Sequence, residues 1–219
     1  METTSRYLEF KHRRRRLTAA PGKGAAREAP APVMDIFEYL SVAISIVLAM
    51  GLATLLRALR DVLAPARRYW VHALWVLQVA FLHVQLWWAY WDYSSGVVWT
   101  FPKFILLLFP PATLYLTATA LVGAENDASW REYFYRVRRW FFSLILLYML
   151  SAVCISWLVR GVPLTHPYRI LQGLLIIVSI VGLNSRSHPV HVALISITIA
   201  LYFFSQIMFR FFPNPLGSQ

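Results

Sequence analysis

The sequence predicts an all-α protein, a polytopic transmembrane helical bundle of about six spanning helices. Three observations predict it. Hydrophobic residues make up 58% of the 219-residue chain and charged residues 14%, where an average soluble domain carries about 25% charged residues. The polar residues cluster between long apolar runs. Most of those runs reach the roughly 20 residues that a helix needs to cross a hydrocarbon core of about 30 Å. Inside that core each backbone amide must be bonded within its own segment, which favours a helix for every run.

Residues 1–33 read differently. They hold 8 of the 21 basic residues and 3 of the 10 acidic ones, with a basic run from Lys11 to Arg16. Ala, Pro and Gly dominate the stretch from Thr18 to Val33. Such a composition buries little apolar area and predicts a disordered basic tail. No apolar segment directly follows the arginines, so a secretory or twin-arginine signal is not indicated, and Glu2, Glu9 and Glu28 weaken a mitochondrial presequence. The predicted organisation is thus the tail at 1–33, a six-helix membrane domain at 35–212 and a short C-terminal tail at 213–219.

The apolar runs cover residues 36–56, 69–90, 104–122, 140–159, 170–183 and 190–209. The fifth has 14 residues. It spans if its helix starts near Pro167 and Arg169 reaches to the interface; a re-entrant segment is the alternative. Loop arginines set the orientation. Arg57, Arg60, Arg67, Arg68, Arg131, Arg136, Arg138, Arg139 and Arg186 fall on one side, which predicts the cytoplasm. Lys103, Arg160, Arg169 and Arg210 fall on the other. A basic tail on that second side conflicts with the rule. Met34, immediately before the first run, is an alternative start that would remove the conflict. The overall pattern points to a bacterial inner (plasma) membrane, and the basic excess to the bilayer rather than to nucleic acid.

Aromatic belts flank the runs. Trp87, Trp88, Tyr90, Trp91, Tyr93, Trp99 and Phe101 mark one interface, and Tyr69, Trp70, Tyr133, Phe134, Tyr135 and Trp140 the other. Ser129 and Glu132 fit a capping box. The arginines and aromatics behind it suggest a short interfacial helix leading into the fourth span, with anionic lipid or plain cytoplasm as its surroundings.

Four features could carry function. In the first run Ser41, Ser45, Ala49 and Ala53 recur every fourth residue. Such a face lets another helix approach closely, either within the bundle or across a homo-oligomer seam. In the third run Pro110 and Pro111 each remove a backbone donor, which predicts a kink or break at membrane depth, with Thr113 and Thr117 nearby to serve freed carbonyls. The second run is the most polar, with His72 and His83 on one face and Gln78 and Gln85 on another. His83 falls about 21 Å along it. An ionisable group at that depth is a functional candidate by default. Finally, Glu38, His83, Asp92, Trp87 and Trp91 could together line one polar vestibule that binds a cation or relays protons.

No cofactor or metal is predicted. Haem ligation needs two axial groups on facing helices, and only the second run has a deep histidine. His188 and His191 lack the further ligands that zinc requires. Cys154 is the single cysteine and reads as a small hydrophobe. The metalloprotease HExxH, the nucleophile elbow GxSxG and the glycine-rich phosphate loop are absent, so no catalytic residues are assigned. Three readings follow: non-enzymatic handling of a small solute, ion or lipid; a structural or accessory subunit, alone or as a homo-oligomer; or a membrane enzyme using His83 with Glu38 or Asp92 as acid and base.

Overall fold

The computed structural model describes residues 35–66, 68–123 and 129–207. The predicted tails at 1–33 and 213–219, and the residues Met34, Arg67 and Arg210, lie outside them. Six α-helices follow one another: α1 (Ile36–Val62), α2 (Trp70–Tyr90), α3 (Phe101–Val122), α4 (Trp130–Leu158), α5 (Tyr168–Asn184) and α6 (His188–Gln206). A single 3-10 turn, Trp91–Tyr93, extends α2. Five of the six are long and apolar enough to cross a membrane, α5 being the shorter one. The all-α bundle is as the apolar runs predict.

The 17 residues of α5 rise about 26 Å, a few ångströms less than the hydrocarbon thickness. Arg169 in its first turn is tied down rather than left to reach for water. Its Nη1 donates to Ser156 Oγ and Gln172 Oε1, both at 2.7 Å, and its Nη2 to the Val162 carbonyl at 2.8 Å. The charge that would obstruct a short helix is thereby absorbed by the end of α4 and the connecting loop.

The most polar helix is also the most enclosed. α2 packs against α1, α3, α4 and α6, while α1 meets α3, α3 meets α4, α4 meets α5 and α5 meets α6. Buried residues occur on every side of α2, from Val71 through His72, Trp75, Gln78 and His83 to Tyr90. Polar groups that would be costly against lipid are thus kept inside protein.

Helix α1 buries Leu40, Ile44, Leu48, Gly51 and Leu55 along one seam. This is not the small-residue face. Of that face, Ala49 is exposed and Ser41, Ser45 and Ala53 are half-buried. Close approach is supplied at one point instead: a Cβ placed on Gly51 would collide with His83 Nε2. The imidazole occupies the space a side chain would need.

Helix α3 runs unbroken through Pro110 and Pro111. Pro111 has no N–H to offer the Leu107 carbonyl. The Tyr90 hydroxyl, from α2, donates to that carbonyl instead. The two threonines serve other oxygens: Thr113 Oγ1 donates to Pro110 at 2.9 Å and Thr117 Oγ1 to Thr113 at 2.8 Å. The expected break is bridged by a neighbouring helix.

The segment expected as a separate interfacial helix is the first part of α4, which is 29 residues long and about 43 Å in rise. Ser129 caps it, accepting from the Glu132 amide at 3.3 Å. Several belt aromatics also turn inward. Tyr69, Tyr90, Tyr133 and Phe134 are buried, whereas Trp70, Trp87, Trp88, Trp91 and Trp140 remain exposed.

Candidate functional site

The vestibule residues are placed apart. Glu38 belongs to the α1 cap, where its Oε2 accepts from the Asp35 amide at 3.1 Å. Asp92 is paired with Arg160 at 2.7 Å, and Arg160 also lies over the Tyr93 ring. Trp91 is exposed, and Trp87 Nε1 donates to Ser45 Oγ at 3.2 Å. His83 is 1% exposed and donates from Nδ1 to the Val79 carbonyl at 2.7 Å. Gly51, which His83 touches, is thirteen residues along α1 from Glu38, about 20 Å. Asp92 lies nine residues beyond His83, about 13 Å. Neither carboxylate reaches the imidazole within one water, so the acid–base pairings are not assembled.

At this end of the bundle the charged groups have partners. Arg160 and Arg169 are engaged as above, and Lys103 Nζ donates to the Val98 carbonyl at 2.9 Å.

The opposite end is built differently. The start of α4 is drawn against α1 and α2: Trp130 Nε1 donates to the Asp61 carbonyl at 3.0 Å, and its ring stacks on His72 at 4.9 Å. Phe134 stands between His72 and His191, meeting both edge-on at 6.0 and 5.1 Å. The two histidines therefore do not pair. Tyr69 packs on Phe134, and its hydroxyl lies 2.8 Å from His188 Nδ1 and 3.4 Å from the Tyr135 hydroxyl. Burial first, and the Tyr135 hydrogen bond second, push the Tyr69 phenol above its usual range, so it is neutral at physiological pH. His191 donates from Nε2 to the Ser185 carbonyl at 3.0 Å and stacks on Phe142.

Arg138 lies on α4 one turn after Phe134 and is buried. Its side chain is 2% exposed, yet Nε and Nη1 have no hydrogen-bond partner among the described residues. The arginines whose charge acts on it, Arg186 and Arg139, are both positive, and both are exposed. Among the described residues no acid is paired with it, and a buried guanidinium left so is strongly disfavoured. Its planar donors match phosphate or carboxylate bidentately. Arg138 also lies twenty residues before Leu158, the end of α4, or about 30 Å, the thickness of the hydrocarbon core. A helix crossing the core from Leu158 would bring Arg138 to the level of the headgroups.

No group of three or more potential metal ligands occurs among the described residues. The sequence places Arg138 among the loop arginines without distinguishing it. The signal available was its position one turn after Phe134, on the face of α4 that the aromatics bury.

Length, composition and the helices they form define a multi-pass integral membrane protein. Comparison with family models, with curated proteins and with solved structures finds no match for the chain.

Proposed function

We propose that the protein is a non-enzymatic bacterial inner-membrane protein that binds the phosphate of an anionic phospholipid at its arginine-rich end. One observation carries this reading: the enclosed Arg138 guanidinium with unpartnered Nε and Nη1. Its depth favours a lipid headgroup, and Arg139 and Arg186 add positive charge around the phosphate. The excess of arginines on that side supports a cytoplasmic leaflet.

The test is native mass spectrometry of the detergent-purified chain mixed with equal phosphatidylglycerol and phosphatidylcholine. Phosphatidylglycerol should stay bound preferentially, survive millimolar inorganic phosphate, and be lost in Arg138→Gln but retained in part in Arg138→Lys. Equal retention of the two lipids, or an unchanged Arg138→Gln, overturns the reading. Competition by inorganic phosphate would assign the site to a soluble anion and overturn the lipid.

A second reading, a homo-oligomer or an accessory subunit of a membrane complex, draws on α1. Its small-residue face is left partly open at Ala49, which suits a close helix–helix contact. Cysteine crosslinking at Ala49 in native membranes should then trap a second copy or another membrane subunit. Recovery of monomer alone would count against it.

A further inference from the structure

Trp75 and Gln78 are among the buried polar groups of the bundle that the lipid site does not use. Trp75 and Gln78, one turn apart on α2, are 2% and 7% exposed. Trp75 Nε1 and Gln78 Nε2 have no hydrogen-bond partner among the described residues. Gln78 is eight residues into α2, about 12 Å, and so near the middle of the span. Both residues line a cavity of about 10 Å³ that Ser179 of α5 and Thr198 and Tyr202 of α6 close from the other side.

The hydrogen-bonding character of that wall is readable. Ser179 Oγ donates to the Leu175 carbonyl at 2.9 Å and Thr198 Oγ1 to the Leu194 carbonyl at 2.8 Å. Each hydroxyl has used its proton, so each oxygen remains as an acceptor. The Tyr202 hydroxyl reaches Met149 Sδ at 4.0 Å, a weak acceptor. Donor-bearing residues of α2 and acceptor-bearing residues of α5 and α6 thus line one small cavity, the rest of whose wall is apolar, with Val79, Leu82, Ile145, Met149, Leu175 and Val178. What fits between must accept and donate at once and be no larger than a water molecule. A metal cation would need an oxygen cage, and the cavity has no charged side chain in its lining.

We propose that this cavity is a binding site for one ordered water, which links Trp75 and Gln78 of α2 to the hydroxyls of α5 and α6. It gives the short helix α5 a polar connection to the central helix.

X-ray radiolytic labelling of the full chain in nanodiscs tests this, because radicals born from a bound water oxidise the side chains around it. Trp75 and Tyr202 should be labelled several-fold more than Trp130, which is equally enclosed. Thr198→Val and Gln78→Leu should each lower that labelling toward the Trp130 level while the helical circular dichroism is kept. Should Gln78→Leu fail to fold, Thr198→Val carries the comparison. Labelling of Trp75 and Tyr202 no higher than Trp130, or labelling unchanged in Thr198→Val, overturns the site.

Discussion

A guanidinium whose Nε and Nη1 are enclosed with no partner among the described residues is held at a cost that an anion relieves. For Arg138 this has a consequence in two directions. Arg138→Met, an apolar replacement of similar length, should stabilise the protein in lipid-free detergent by about 1–4 kcal/mol. It should also abolish the further stabilisation that phosphatidylglycerol confers on the native chain. Thermal unfolding with and without that lipid reads both effects. Gly51 makes the opposite case. Because a Cβ there would run into the His83 ring, Gly51→Ala should cost about 1–3 kcal/mol as an overpacked core site. Gly173, around which a Cβ meets nothing within 4 Å, is the matched control, and Gly173→Ala should leave the melting temperature unchanged or slightly raised. At this scale the sequence marked His83 for its depth, but not the glycine across from it. A contact between positions 51 and 83 leaves no trace in the spacing of either helix.

Each helix is legible as a length of apolar chain, and the six elements follow the six runs. The face that a helix buries is less legible. In water the buried face is apolar and the exposed face polar, but in a bilayer both are apolar, so periodicity stops distinguishing them. Hence the small-residue stripe of α1 reads as a seam, while Leu40, Ile44, Leu48 and Leu55 form it. The prolines of α3 show the same limit. Local reasoning finds the lost donor, but the donor that replaces it comes from Tyr90 on another helix. Tyr90→Phe should therefore cost about 1–3 kcal/mol, the penalty for a buried carbonyl left without a partner. The comparison is Tyr39→Phe, an exposed tyrosine, which should be close to neutral. If Tyr90→Phe is equally silent in a detergent unfolding titration, the staple contributes nothing.

The whole molecule is polar in the sense of having two unlike ends. At one, Asp92, Arg160, Arg169 and Lys103 are paired or bonded. At the other, Arg138 is buried, and exposed Arg139 and Arg186 are near enough for their charge to act on it. The charge count along the sequence anticipated the asymmetry, but not the enclosure of one arginine, because enclosure depends on tertiary packing that spacing along α4 does not encode. The orientation is checked by single cysteines in a Cys154→Ala background. Thr165→Cys should react with a membrane-impermeant maleimide in intact cells, and Ser187→Cys only after lysis. The reverse pattern would turn the protein over and place the arginine site in the outer leaflet.

The most direct measurement is an experimental structure in nanodiscs containing phosphatidylglycerol. A phosphate group should lie against Arg138, with an oxygen about 2.7–2.9 Å from Nε or Nη1, as charge-assisted bonds require. Density there belonging to a protein carboxylate, or a guanidinium turned out to bulk water, would contradict the lipid-binding role.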